Sequence, residues 1–316
     1  MCTSCGCQGQ GTTMTNLQTG ARAEIAALPE HGGAPHSHGD HGHGHFLDEH
    51  QHAHGEHRHE HDHHSHEHGH AHGHDHAHAH DHSHEGHAHD HSHRRVDLEA
   101  RILAKNDAIA AKCRAWLAGR EIVALNLVSS PGAGKTTLLE RAIADLSGEL
   151  PLFVIEGDQA TSNDGERIRA AGAPVVQVNT GTGCHLDAEM IARALSELKP
   201  SVASLVFIEN VGNLVCPALF DLGEHAKAVI FSTTEGEDKP LKYPHMFSAA
   251  KLVIFNKIDL LPHLDFSMAR ARENILRVNP DVAIVEVSAK TGAGMQTLYD
   301  WIRAQRTATA VQSLIV

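Results

Sequence analysis

No stretch of eighteen or more apolar residues occurs in the 316-residue chain, so a helix of membrane-spanning length is not expected. The start also lacks the basic and apolar regions of a secretory signal, and the expectation is a soluble, cytoplasmic protein. Positive charge is not in excess: 26 Lys and Arg face 39 Asp and Glu. Without a basic patch or stripe there is no electrostatic footprint for nucleic acid, and that partner class is set aside. Cysteine is scarce as well. Of six, Cys2, Cys5 and Cys7 crowd the start, while Cys113, Cys184 and Cys216 are scattered. That is not the disulfide framework of a small secreted domain, and free or metal-bound thiolates fit better.

Sustained apolar periodicity is nearly missing from residues 8 to 94. Such a segment cannot offset the entropy of ordering it and is expected to be disordered without metal. The apolar stretch Ala21 to Leu28 is too short to stand as more than a transient helix. What this segment has instead is histidine: 28 of 32 lie between His31 and His93. Residues 1 to 94 carry 3 basic and 13 acidic side chains, against 23 and 26 in the remainder, so the negative charge belongs mainly to the tail. Ahead of it stands "MCTSCGCQG". Chain ends are seldom ordered enough to use thiols for packing, so a chemical use is expected, metal binding ahead of lipidation or redox chemistry. Three regions follow: a cysteine motif over 1–8, a His-rich segment over 9–94, and a folded domain over 95–316.

From Asp97 the texture changes. Leu98, Ile102, Leu103, Ile109, Cys113, Trp116 and Leu117 recur at helical spacing, with Asp97 as the expected N-cap and Gly119 as the stop. Cys113 lies on the apolar side and reads as structural. Strand-length apolar runs then alternate with helical patterns: Ile122–Val128, Leu152–Glu156, Pro174–Val178, Ser204–Glu209, Ala226–Ser232, Leu252–Asn256 and Ala283–Ser288. Most are apolar throughout, as strands buried between helix layers are. The alternation predicts a mainly parallel α/β sheet in three layers.

"LVSSPGAGKTTLLE" follows the first of these strands and opens a helix. Gly132, Ala133, Gly134, Lys135, Thr136 and Thr137 match the core of a phosphate loop, although Ser129 stands where G-x-x-x-x-G-K-[ST] has its first glycine. Backbone N–H groups in such a turn cradle phosphate oxygens, Lys135 neutralises the β- and γ-phosphates, and Thr136 ligates Mg²⁺. Asn256, Lys257 and Asp259 form an N-K-x-D element like that of GTPases, where the Asp carboxylate accepts from the guanine N1–H and exocyclic amine. Ser288, Ala289 and Lys290 end the next strand, where GTPases place a backbone contact to the guanine oxygen. Between these lie strand-end carboxylates. Glu156, Gly157 and Asp158 close one strand, and Glu209-Asn210-Val211-Gly212 is comparable to the D-x-x-G element that senses the γ-phosphate. Asp158 and Glu209 are the expected catalytic and magnesium-binding pair, with solvated strand-end charges as the alternative. Asp164 and Arg167 are open between a switch and a surface pair.

"TGTGCHLDAEM" and "GNLVCPALF" add Cys184, His185 and Cys216. Two sulfurs and an imidazole suit Zn²⁺ or Ni²⁺ and leave one position open. Buried cysteines beside a capping histidine are the other reading, and spacing does not decide between them.

The combination of C-x-x-C-G-C, the His-rich segment, S-S-P-G-x-G-K-T, E-N-V-G-N-L-V-C-P and N-K-x-D resembles the HypB family of GTPases. That resemblance implies a SIMIBI-type P-loop domain that hydrolyses GTP and assists nickel insertion into [NiFe]-hydrogenase. It implies a tight nickel site at Cys2, Cys5 and Cys7, and a weaker nickel or zinc site at Cys184, His185 and Cys216. It also implies a GTP-dependent homodimer with that second site at its interface, a HypA-like nickel-delivery partner, and the hydrogenase large-subunit precursor as client. Three sulfurs and one nitrogen would complete a square-planar nickel site at the head. The imidazoles of the tail would store further ions and discharge them on acidification, since their ordinary pKa is about 6.5. Two alternatives stay open. A urease-accessory GTPase would carry Cys-Pro-His, whereas Ala218 follows Cys216-Pro217 here; a passive nickel or zinc store would not need the nucleotide motifs.

Overall fold

The structure is a computed structural model that describes residues 12–25, 90–159 and 163–313. Cys2, Cys5, Cys7 and the histidines from His31 to His89 lie outside the described residues. The chain divides into two units, one of residues 1–28 with 91–316 and one of residues 29–90.

In chain order the strands are β1 (Thr13–Asn16), β2 (Arg22–Glu24), β3 (Val123–Ser129), β4 (Leu152–Asp158), β5 (Val175–Asn179), β6 (Leu205–Glu209), β7 (Ala226–Ser232), β8 (Leu252–Asn256) and β9 (Ala283–Glu286). The helices are α1 (Asp90–Ala118), α2 (Lys135–Leu146), α3 (Asn163–Ala170), α4 (Ala188–Leu198), α5 (Cys216–Leu219), α6 (Lys239–Lys242), α7 (Pro244–Ala249), α8 (Met268–Val278) and α9 (Met295–Ser313). A 3₁₀ turn spans Ile258–His263. The strands form one sheet in the order β2-β1-β5-β4-β6-β3-β7-β8-β9. From β5 to β9 every pairing is parallel, so each connection crosses a face of the sheet and covers it with helices.

β3 and β7 are buried at every position. Alternate residues feed opposite cores: Leu125, Leu127, Val154 and Phe207 pack with Leu139 and Ile143 of α2 and Ile302 of α9, whereas Ala124, Ile155 and Ile208 meet Leu117 of α1 and Ile191 of α4. A third cluster joins Val229, Phe231 and Phe255 to Phe247 of α7 and Ile275 of α8. Full burial of each such side chain contributes about 1.5–3 kcal/mol. The three-layer expectation and all seven strands hold, with ends shifted by two residues at most.

Two expectations are corrected. Residues 13–24, expected to lack order, with 21–24 at most a transient helix, form a hairpin: β1 pairs antiparallel with β5 and β2 with β1. Short strands of this kind are stabilised by the preformed edge of a sheet, which periodicity in the hairpin itself does not reveal. Met14 is buried there, and Asn16 donates to Glu197 Oε1 at 3.0 Å. Asp97 is not an N-cap, because α1 begins at Asp90.

Of the apolar residues expected on one face of α1, Cys113 and Leu117 are buried with Ala110, but Ile102 and Trp116 are exposed. Polar anchors complete the docking. Buried Asn106 donates to Asp221 O at 2.8 Å and accepts from Ala188 N at 2.9 Å. Burial pushes the Cys113 thiol up, and the sulfur sits 3.7 Å from Ala188 O, a structural position as expected.

Candidate nucleotide and metal site

The phosphate loop joins β3 to α2. Gly132 and Gly134 have φ of 74° and 95°, a left-handed backbone that side chains other than glycine resist. Gly134 is the N-cap of α2 and no side chain caps the helix, so its first N–H groups are available to an anion. Lys135 Nζ donates to Ser129 Oγ at 3.1 Å. Ser129, the departure from the P-loop pattern, thus holds the lysine at the mouth of the loop. Thr137 accepts from Arg167 Nη2 at 3.3 Å, on the outer side of α2.

Period-two geometry puts Glu156, Asp158 and Glu209 on the sheet face that carries α2, and Glu156 and Glu209 are direct neighbours across β4 and β6. Thr136 Oγ1 donates to Glu209 Oε1 at 2.8 Å. Burial pushes the Glu209 carboxyl up to about 7, against the opposing pull of Lys135 and Thr136. Glu156 is pushed up to about 9, by burial first and then by the charges of Glu209, Asp158 and Asp164. Glu156 Oε2 and Glu209 Oε2 have no hydrogen-bond partner among the described residues. Two buried carboxyl oxygens without a partner among the described residues thus stand beside the phosphate cradle. Asp164 and Arg167 form an exposed ion pair at 3.0 Å, and Arg167 also clamps Glu140 of α2 at 2.7 Å. Gly212 packs so closely on Pro131 that an added Cβ would lie 3.2 Å from it, which sets the E-x-x-G turn against the phosphate loop.

The base-reading element is tied to the same loop. Asn256 Nδ2 donates to Ala133 O at 2.9 Å, and Lys257 Nζ to Gly132 O at 2.7 Å. Asn256 Oδ1 accepts from Lys257 N at 2.8 Å and from Ala289 N at 3.2 Å. Ala289 N–H therefore joins the two loops in this conformation. Ser288 Oγ donates to Asp259 Oδ1 at 2.6 Å, which orients the carboxylate expected to face guanine. Lys290 is exposed beyond them.

On the opposite face of the sheet, Cys184, His185 and Cys216 meet, their ligand atoms all within 4.8 Å of one another. The sulfurs are 2.9 Å apart, and Cys184 Sγ lies 3.6 Å from His185 Nδ1. Cys216 opens α5, four residues after Gly212. Burial pushes His185 down to about 4, so its imidazole is neutral at pH 7 and able to donate a lone pair. Its ring stacks on Phe220 at 3.9 Å. Sequence spacing left a metal set and buried packing both open; the structure brings two sulfurs and an imidazole together in a group that could hold a metal ion.

Some contributors carried no recognisable spacing. Lys239 of α6 donates to Ser130 Oγ in the phosphate loop and pairs with Glu235 at 2.8 Å. Thr233 donates to Lys257 O at 2.8 Å. The signal for these was the polar run "TTEGEDK" directly after a fully buried strand. Buried Asn126 and Asn210, joined at 3.2 Å, were likewise visible only as polar residues within or beside apolar strands.

Residues 123–286 match the family described as "CobW/HypB/UreG, nucleotide-binding domain". The "Hydrogenase maturation factor HypB" of Rhizobium leguminosarum bv. viciae is 55% identical over 222 residues, covering 70% of this chain and 74% of that one. Its namesake in Escherichia coli K12 is 53% identical over 215 residues, 68% and 74% of the two chains. The crystal structure of HypB from Helicobacter pylori in complex with nickel superposes with a TM-score of 0.61 at 36% identity, covering 65% of this chain and 96% of that one. HypB from Archaeoglobus fulgidus gives 0.60 at 36% identity, over 64% and 99%. Identity above one half across three quarters of its relatives' length, on a matching fold, makes this chain a member of the HypB family of P-loop GTPases.

Proposed function

We propose that this chain is a GTP-hydrolysing nickel metallochaperone that assists the insertion of nickel into [NiFe]-hydrogenase. The observation that carries the reading is the convergence of Cys184, His185 and Cys216 on a GTPase core, four residues from the E-x-x-G turn. The relatives named above are hydrogenase maturation factors, and one was solved with nickel. A relative in Helicobacter hepaticus, 39% identical over 217 residues, is named a hydrogenase/urease maturation factor, so a urease client is the second reading.

In the nucleotide half, Lys135 and the amides of α2 bind the phosphates, and Asp259 reads guanine. Thr136, Asp158 and Glu209 would hold Mg²⁺, which supplies charge neutralisation of the phosphates. The fit rests on the buried, partnerless Glu209 Oε2 and the oxygen-only donor set. Asp158 and Glu209 orient the attacking water, and Glu156 beside them holds a proton when no cation is present.

In the metal half, nickel or zinc is cargo of the triad. Three donors leave a coordination position that a second copy of the chain fills on GTP-dependent dimerisation. Cys2, Cys5 and Cys7 are the tight nickel grip, the His31 to His93 cluster is the store, and a HypA-like protein and the hydrogenase large-subunit precursor are the delivery partners. Reduced thiols of this kind belong to the cytoplasm.

The test is nickel and zinc titration of the full chain with a non-hydrolysable GTP analogue or GDP, repeated with Cys184→Ser and Cys216→Ser. Loss of stoichiometric metal from the triad in both variants, and a nucleotide-dependent affinity in the parent, are expected. Metal binding indifferent to both substitutions would overturn the reading.

A further inference from the structure

In the segment Glu209-Asn210-Val211-Gly212-Asn213, nucleotide and metal chemistry give no task to Asn210. It is 1% exposed, and both ends of its side-chain amide are hydrogen-bonded. Its Oδ1 accepts from Leu186 N at 3.2 Å and from Val211 N at 3.0 Å. Its Nδ2 donates to Asn126 Oδ1 at 3.2 Å. From Asn126 a buried polar chain runs on: Asn126 Nδ2 donates to Glu224 Oε1 at 3.1 Å, Glu224 pairs with Lys227 Nζ at 3.7 Å, and Lys227 donates to Pro217 O and Phe220 O at 2.9 and 3.2 Å. One end of this chain grips the residue that follows His185. The other grips the residue that follows Cys216.

The two ends differ in what holds them. The Cys216 arm hangs from Asn126 and Lys227, inside the paired strands β3 and β7. The His185 arm hangs from Asn210, one residue past Glu209, whose carboxylate is tied to Thr136. Phosphate or a cation at Thr136 competes for that tie, so the end of β6 is where occupancy is felt. At 3.2 Å the Leu186 bond has little reserve, and a few tenths of an ångström break it. The Leu186 side chain packs directly on Gly157 of β4, where an added Cβ would lie 2.8 Å from it. The two arms of the triad thus hang from different anchors, one within paired strands and one beside the nucleotide-facing end of β6.

We propose that Asn210 is the positioning residue through which nucleotide occupancy at the phosphate loop sets the metal affinity of Cys184, His185 and Cys216. The proposal rests on the reading of that triad as a nucleotide-controlled metal site. Asn213, which donates to Cys184 O at 3.3 Å, supports the triad without joining the relay.

The test uses the full chain with Cys2, Cys5 and Cys7 replaced by Ser. Sulfur-to-nickel charge-transfer absorption then follows the triad alone, because histidine-bound ions lack that band. In this parent, nickel affinity with GTP analogue and with GDP should differ about fivefold or more, the usual scale of site coupling. Asn210→Ala should bring that ratio to within about twofold of unity while the analogue still binds. Asn213→Ala should weaken nickel in both nucleotide states and keep the ratio. If Asn210→Ala does not fold, Asn210→Leu decides in the same way, since it keeps the side-chain volume and loses the acceptor for Leu186. A parental ratio that survives in the Asn210 variant overturns the relay and leaves the metal site standing. A parent without any ratio overturns the nucleotide-controlled site as well.

Discussion

Asn256 bears a larger load than its place in a base-recognition motif implies, and Asn256→Ala measures it. The side chain is 1% exposed and makes three hydrogen bonds, to Ala133 O at 2.9 Å and from Lys257 N and Ala289 N at 2.8 and 3.2 Å. Truncation strands one carbonyl and two N–H groups. At about 1 kcal/mol for each lost bond, and more where water does not reach, the nucleotide-free fold should lose about 3 kcal/mol. For a domain of this size that corresponds to a melting temperature lower by about 6–12 °C. GTP affinity should fall further than contact with the base explains, because the phosphate loop and the base-reading loop are no longer held together before the ligand arrives. An ordering cost of about 2–3 kcal/mol moved onto the ligand is a loss of about 30- to 150-fold. Thermal melts with and without nucleotide, together with calorimetric titration, read both quantities. Asn256→Asp keeps both acceptor bonds and should lose less of each. A melt within about 2 °C of the parent and a GTP affinity within about threefold would refute preorganisation by this residue.

Three further outcomes follow from the same geometry. Asp259→Asn turns an acceptor into a donor toward guanine and should weaken GTP by about 100-fold or more, with xanthine nucleotide recovering the loss in a competition assay; unchanged guanine preference would refute the assignment. Deleting residues 1–28 removes β1 from β5, where Val176 and Val178 are fully buried; the expected loss is about 3 kcal/mol or more in a melt, with aggregation by light scattering through the bared edge. Burial holds the His225 pKa below its ordinary value near 6.5, although Gln305 partly restores it. Its folded-state contribution is therefore complete above that value and is lost as pH falls below it. His225→Gln should flatten the decline in stability between about pH 7 and 5, and an identical acid profile in circular dichroism melts would contradict this.

The seven parallel strands were legible because strands between helix layers are mostly apolar; β3 and β7 are buried at every position, with only Asn126, Ser129, Lys227 and Ser232 polar. The β1 hairpin was not, since "TMTNLQTGARAE" has too little apolar surface to signal a strand; its order comes from β5, more than 150 residues away in the chain. The start of α1 was missed for a related reason: Asp97 resembles a cap, but the helix runs through it.

Local chemistry determined the phosphate loop, N-K-x-D and the glycines that must turn left-handed, because each depends on neighbours within a few residues. Sequence also supplied the identities of the soft ligands, though not whether they meet. Only the tertiary structure decided that Cys184 and His185 on one loop and Cys216 at the start of α5 come together. It decided, too, that Glu156 stands beside Glu209 and that Asn256 clasps the phosphate loop. These are contacts across the sheet, where register and burial set the distances and separation along the chain carries no information about them.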